Sequence, residues 1–172
     1  ERKGDAFSGR VVDVGTGTRV IALTLAASWP EAKVEAVDLS ADALSLAKEN
    51  AESLGLTDRV QFHEGDLLAP VEGPFDLVVA NLPYIAAEEI SGLAREVQFD
   101  PRTALDGGAI GTEIIFRLLE QATHKLRGTI ALEIGHDQSD AICAELARHN
   151  YHDIKPATDY QGRNRFVFAK YG

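Results

Sequence analysis

Asn81, Leu82, Pro83 and Tyr84 follow directly on the hydrophobic run Phe75 to Ala80. An amide can both accept from and donate to a planar polar group, and a tyrosine beside it can stack on that group. Leu77 to Ala80 has the length and β-branched content of a strand buried on both faces. Pro83 cannot continue a ladder, so the strand must end there, and it drives Leu82 into an extended conformation. The amide and the ring therefore fall at the carboxyl end of a strand, where open α/β sheets bind ligands. Taken alone, the four residues also suit a plain strand-to-loop turn with Asn and Pro as punctuation. The acidic residues elsewhere in the chain decide between the two.

Asp13-Val14-Gly15-Thr16-Gly17 closes one hydrophobic run and opens a helical pattern. Its glycines let backbone approach a ligand closely, and the helix start offers free amides. The complete dinucleotide fingerprint would need glycine at position 20, where Val20 stands, so a pyrophosphate grip is disfavoured. Asp38 ends the second strand and suits a carboxylate accepting from two ribose hydroxyls. Asp66 follows the third and can accept from the amino group of an adenine. A glycine turn, two carboxylates and Asn81 after four successive strands point together to a nucleoside cofactor. With no group set to neutralise a phosphate, the ligand that fits carries a nucleoside, an amino acid and a positive sulfur: S-adenosyl-L-methionine. The candidate cofactor-binding residues are Asp13, Gly15, Thr16, Gly17, Thr18, Arg19, Asp38, Leu39, Asp66, Leu67 and Asn81. Asn81, Leu82, Pro83 and Tyr84 are the candidate catalytic residues, and no metal is expected.

The elements that must position these residues alternate regularly. Strands are expected at Val11 to Val14, Lys33 to Val37, Arg59 to Phe62, Leu77 to Ala80, Thr129 to Ile134, around Ile154, and at Arg165 to Ala169. Helices are expected from about Thr18 to Ser28, from Ser40 as cap to a stop at Gly55, near Thr112 to Leu126, and from Ser139 to His149. The alternation predicts an α/β fold with a doubly wound, mostly parallel sheet of seven strands. Only Asp159 to Asn164 separates the last two strands, too short for a crossover helix, so these must be antiparallel neighbours. The stretch from Ala86 to Gly108 is the longest irregular region, a length that in compact domains often marks a functional lid.

At 172 residues the chain is expected to be a single domain. It is 45% hydrophobic and 26% charged, an ordinary globular composition. A net charge of −10 argues against a broad duplex nucleic-acid surface. One cysteine, Cys143, excludes an intrachain disulfide and a Cys-rich metal site, and its helical apolar setting reads as structural. No apolar run reaches membrane-spanning length, and the first residues do not read as a signal peptide, so a cytoplasmic location is expected.

The chain resembles the HemK-type protein-glutamine methyltransferases. The resemblance rests on Asp13 to Gly17, Ala36-Val37-Asp38, Gly65-Asp66-Leu67 and Asn81 to Ile85. It extends to Phe99-Asp100-Pro101, Ala104 to Gly108, Glu133 to Gln138 and the ending Asp159 to Arg165. It implies the Rossmann-like S-adenosyl-L-methionine-dependent methyltransferase fold with an antiparallel last strand, with S-adenosyl-L-homocysteine as product. It implies as substrate the side-chain amide nitrogen of the glutamine in the Gly-Gly-Gln motif of peptide chain release factors, and hence a part in translation termination. Residues 1–172 then correspond to the catalytic domain, the family's helical amino-terminal recognition domain lying outside this sequence. Two positions depart from the family: Arg19 stands where a further glycine is usual, close to the methionine end of the cofactor. Leu82 replaces a proline whose backbone carbonyl the family uses.

An amide nitrogen is a poor nucleophile because its lone pair is delocalised. The Asn81 oxygen and the Leu82 carbonyl can accept its two hydrogens, aligning the nitrogen with the methyl group while Tyr84 packs on the amide plane. No general base is required, and of the five histidines only His136 stands near the ligand edge. Glu133, at the same strand end, reads as a supporting residue rather than an acid. The same constellation also suits an RNA or DNA amino-methyltransferase, which the acidic balance disfavours. It suits a catalytically silent cofactor-binding module as well, which Arg19 and Leu82 would favour.

Overall fold

The computed structural model describes residues 7–18, 21–93 and 101–172. Its strands are β1 (Arg10–Val14), β2 (Lys33–Asp38), β3 (Val60–Glu64), β4 (Phe75–Ala80), β5 (Leu126–Glu133), β6 (His152–Thr158) and β7 (Asn164–Lys170). Helices α1 (Ile21–Ser28), α2 (Ala41–Ser53), α3 (Glu113–Ala122) and α4 (Ser139–Arg148) cross between them. One seven-stranded sheet results, in the order β3-β2-β1-β4-β5-β7-β6. The first five strands run parallel, while β7 is antiparallel to both β5 and β6. The seven-stranded α/β architecture expected from the alternation is the one observed.

The continuous hydrophobic runs follow from burial on both faces. Val12 and Val14 belong to the core beneath α3 and α4, together with Val37, Val78, Ile115 and Leu118. Val11 and Ala36 belong to the opposite core, with Ala22, Leu23 and Ala26 of α1. Val11, Val12 and Val14 of β1 thus fill different cores, and the one polar residue among them, Asp13, is buried as well.

Local chemistry sets several ends. The Ser40 hydroxyl accepts from the Ala43 amide at 3.2 Å, a cap worth about 1 kcal/mol. Between β6 and β7, the Asp159 carboxylate accepts from the Gln161 and Arg163 amides at 2.8 and 3.0 Å, which folds the hairpin. Several boundaries differ from expectation by a few residues, and two of them have a local cause. Arg59 closes a single 3₁₀ turn (Thr57–Arg59) and β3 starts one residue later. Helix α3 ends at Ala122 instead of running to Leu126. Lys125 donates from Nζ to the Leu68 and Val71 carbonyls at 2.8 and 2.7 Å, and its own carbonyl accepts from the Phe75 amide. These ties draw Leu126 into register with Phe75 as the first residue of β5.

Candidate functional site

Val14 lies in register with Val37 on one side and Ala80 on the other, so Gly15, Asp38 and Asn81 emerge together from one sheet edge. The turn after β1 is held from three directions. The Val37 carbonyl accepts from the Gly15 and Thr16 amides at 2.9 and 3.0 Å. The Asp38 carboxylate accepts from the Gly17 amide at 2.7 Å and, through its other oxygen, from the Ser40 amide at 2.8 Å. Asp13 Oδ2 accepts from the Thr16 hydroxyl at 2.7 Å and the Ala22 amide at 3.0 Å, bracing the start of α1. Asp13 is fully buried, its Oδ1 has no partner among the described residues, and burial pushes its carboxyl up to about 6. Gly15 has φ 71°, and a Cβ there would stand 2.7 Å from Leu82 Cδ2. Leu82 is itself buried, so the residue that departs from the family pattern fills the floor beneath the turn. Leu39, 69% exposed beside Asp38, presents an apolar surface next to that carboxylate. Thr18 is exposed, and Arg19 lies outside the described residues. Asp66, half-exposed, is paired with Arg117 of α3, while the Leu67 side chain joins the core beneath α3 and α4.

The corner after β4 is built differently. Ala80 is in register with Leu132, which sets Glu133 beside Asn81. Asn81 Nδ2 donates to Glu133 Oε2 at 3.0 Å. Arg165, at the start of β7, donates to Glu133 Oε1 at 3.3 Å and to the Tyr84 hydroxyl at 2.6 Å, its guanidinium 5.0 Å from the Tyr84 ring centre. Behind them Gln138 Nε2 donates to the Tyr84 and Gly111 carbonyls at 2.7 and 3.2 Å, and its Oε1 accepts from the Gly135 amide at 2.9 Å. The Ala104 to Gly108 segment lies against the corner: Ile85 donates to the Leu105 carbonyl at 3.1 Å and accepts from the Gly107 amide at 2.9 Å. Gly111 has φ 80°, and a Cβ there would meet the Tyr84 carbonyl at 2.5 Å. The turn and the corner meet through Leu82. Asp66 has no hydrogen bond to either among the described residues.

A glycine cradle, a carboxylate flanked by apolar surface and an amide corner thus share one edge of this sheet. Residues 2–109 match the family described as the methyltransferase small domain. The chain belongs to that family. It is 44% identical over 98% of its length to a release factor glutamine methyltransferase of Moorella thermoacetica, covering 61% of that protein. A ribosomal protein uL3 glutamine methyltransferase of Burkholderia pseudomallei is 36% identical over 79% of this chain and 48% of its own length. The chain thus spans about six tenths or less of these relatives. A solved methyltransferase of Pyrococcus furiosus superposes with a TM-score of 0.72 at 20% identity, covering 96% of this chain and 76% of that one, a likeness of fold alone.

In this methyltransferase small domain the residues that sequence reasoning left without a part are Arg165, Gln138 and Arg117. Arg165 and Gln138 stand inside segments that carried the family resemblance, and only the strand order showed what they touch. Glu133, read as a supporting residue, bonds Asn81 directly. His136 is exposed and lies 3.9 Å from Asp137, with no bond to the corner. Phe99 and Asp100 lie outside the described residues.

Proposed function

We propose that residues 1–172 form the catalytic domain of an S-adenosyl-L-methionine-dependent protein-glutamine N-methyltransferase acting on the Gly-Gly-Gln motif of peptide chain release factors. The observation that carries the reading is the orientation of Asn81. A carboxylate only accepts hydrogen bonds, so the Asn81 group facing Glu133 is its NH₂, and Oδ1 remains as an acceptor. That is the polarity a primary amide substrate needs. The likeness to two relatives named for glutamine methylation supports the same choice, and the better-matched of them is named for release factors.

The residues present fit the cofactor. The Gly15 cradle has no room for a side chain, Asp38 keeps lone pairs beyond its two amide donors, and Leu39 lies beside it as an apolar surface for a nucleoside. Gly15, Thr16, Gly17 and Thr18 would line the amino-acid end, Asp38 and Leu39 the ribose, and Asp66 and Leu67 the base, while Asp13 holds the turn in shape. S-adenosyl-L-methionine supplies an activated methyl group on a positive sulfur and leaves as S-adenosyl-L-homocysteine.

Asn81 Oδ1 and the Leu82 carbonyl accept the two hydrogens of the substrate amide. This fixes the nitrogen for in-line attack and stabilises the positive charge that grows on it. With the cofactor bound, its methyl group would pass from sulfur to the amide nitrogen held by Asn81 and Leu82, with one amide proton lost to solvent. Pro83 stiffens the corner, and Tyr84, held by Arg165, packs on the substrate plane. Such a substrate puts the reaction in the cytoplasm. No helix among the described residues is long and apolar enough to cross a membrane.

The test is mass spectrometry of intact release factor, with uL3 in parallel, after incubation with this chain and the cofactor. One added methyl group on the Gly-Gly-Gln glutamine is the expected result. Methylation of uL3 alone would move the substrate, and a methylated adenine or guanine in RNA with neither protein modified would overturn the protein-substrate reading.

A further inference from the structure

Glu133 and Arg165 touch no group that reacts, yet between them they bond both polar side chains of the corner. Glu133 Oε2 takes the Asn81 NH₂ at 3.0 Å, and Arg165 joins Glu133 Oε1 at 3.3 Å to the Tyr84 hydroxyl at 2.6 Å. Glu133 and Arg165 lie 52 and 81 residues from their partners Asn81 and Tyr84, so the connection exists only in the folded sheet. An asparagine at a strand end can turn its amide over at little cost, because oxygen and NH₂ have nearly the same shape. Here the turned-over form would put Oδ1 against an acceptor-only carboxylate and forfeit a charge-assisted bond. Arg165 in turn keeps Glu133 in place: its Nη2 donates to both the carboxylate and the phenol oxygen while the guanidinium lies over the Tyr84 ring, a stacked arrangement an ammonium does not reproduce. Arg165 and Glu133 side chains are both mostly buried, at 22% and 28% exposure, which limits competition from water.

We propose that Glu133 and Arg165 are positioning residues that lock Asn81 with its oxygen toward the substrate and Tyr84 beside it, leaving a corner that selects NH₂ donors over carboxylates. The proposal rests on the amide-methylation reading for its consequence, but the lock itself is observable without any turnover. Glu133→Gln keeps size and shape while replacing one acceptor with a donor. That donor must face either the Arg165 guanidinium, where that link is lost, or Asn81, which then turns its oxygen inward to accept it, so no arrangement keeps both links and none keeps a carboxylate on the Asn81 NH₂.

Two readouts decide. In nitrogen-resolved NMR of the whole chain, one proton of the Asn81 side-chain amide should resonate downfield and exchange slowly, and both features should disappear in Glu133→Gln. In steady-state kinetics on release factor, the same variant should lose about 10- to 100-fold in kcat with cofactor Kd and Tm nearly unchanged. Arg165→Lys, which retains the charge without the guanidinium stacked on Tyr84, should lose several-fold in kcat. A kcat equal to wild type overturns the proposal, and so does an Asn81 signal that Glu133→Gln leaves in place. A kcat loss matched by equal losses in cofactor affinity and Tm overturns it too, since that is what a structural ion pair would give. A wild type that methylates nothing, while its Asn81 signal is present and vanishes in Glu133→Gln, refutes the methylation reading and upholds the lock.

Discussion

At the ends of β1 and β2 the carboxylates of Asp13 and Asp38 are occupied by donors from the chain itself, whereas at the end of β4 Asn81 gives up only its NH₂ and keeps its oxygen free of Glu133. The two regions lie on one sheet edge but divide their work differently. In the turn, the groups assigned to the cofactor also hold the backbone in shape, so a substitution disturbs fold and binding together. In the corner, Gln138 ties the backbone, Glu133 and Arg165 set the side chains, and the acceptor aimed outward contributes little to the fold. Binding and turnover should therefore separate cleanly at Asn81 and poorly at Asp38.

The largest effect tests the corner. Asn81→Ala removes an acceptor whose hydrogen bond strengthens as charge develops on the substrate nitrogen, and should lower turnover by about 10²–10³. Calorimetric cofactor affinity should change far less. Activity equal to wild type would remove Asn81 from the mechanism, and an equal loss of cofactor affinity would erase the contrast with the turn.

Asp13 tests the opposite claim, that the turn is bound up with stability. Its carboxyl stands at about 6 against an ordinary 3.8 because of burial. The folded chain thus holds that proton more tightly than the unfolded chain does. The resulting stability is present in full below pH 3.8 and is lost as pH rises through about 6, a difference of ~3 kcal/mol. Asp13→Asn has no charge to bury and keeps an oxygen for Thr16 and Ala22. Its urea-unfolding free energy should gain on wild type by up to ~3 kcal/mol between acid and neutral pH. A pH-independent difference would show that Asp13 is solvated in the native state.

Asp38→Ala should weaken cofactor binding by about 1.5–3 kcal/mol through loss of charge-assisted hydrogen bonds. It should also lower Tm, because the Gly17 and Ser40 amides lose their acceptor. Unchanged affinity with a lowered Tm would make Asp38 a brace only.

What the sequence carried by itself was the local part of both regions. Val11 to Val14 and Leu77 to Ala80 read as doubly buried strands because their apolar residues serve two cores, one on each face of the sheet. Gly15 to Gly17 reads as a turn because its two glycines take positive φ readily, which both do here. The hairpin of Asp159 could be read from its length, but not its placement: β7 enters between β5 and β6, and this alone carries Arg165 to Tyr84 and Glu133. The end of α3 was hidden for a similar reason. Leu126 continues an apolar helical period, and only the ties of Lys125 to the loop before β4 show why the helix stops short. The burial of Leu82 under Gly15 likewise depends on register between β1 and β4.

Arg117 gives the smallest effect and the finest test of the contrast. It pairs with Asp66 from α3, with side chains 53% and 45% exposed, so the pair itself is worth less than about 1 kcal/mol and is screened by salt. If Asp66 accepts from the base of the cofactor, Arg117 competes for the same carboxylate, and Arg117→Ala should tighten cofactor binding about two- to fivefold at low salt. The gain should shrink as ionic strength rises, since wild type then loses the competing pair as well. Asp66→Asn should bind more weakly than wild type and should not respond to removal of Arg117. Weaker binding in Arg117→Ala would instead make the guanidinium a cofactor contact, and Asp66, like Asp13, would belong with the groups that hold the site in shape.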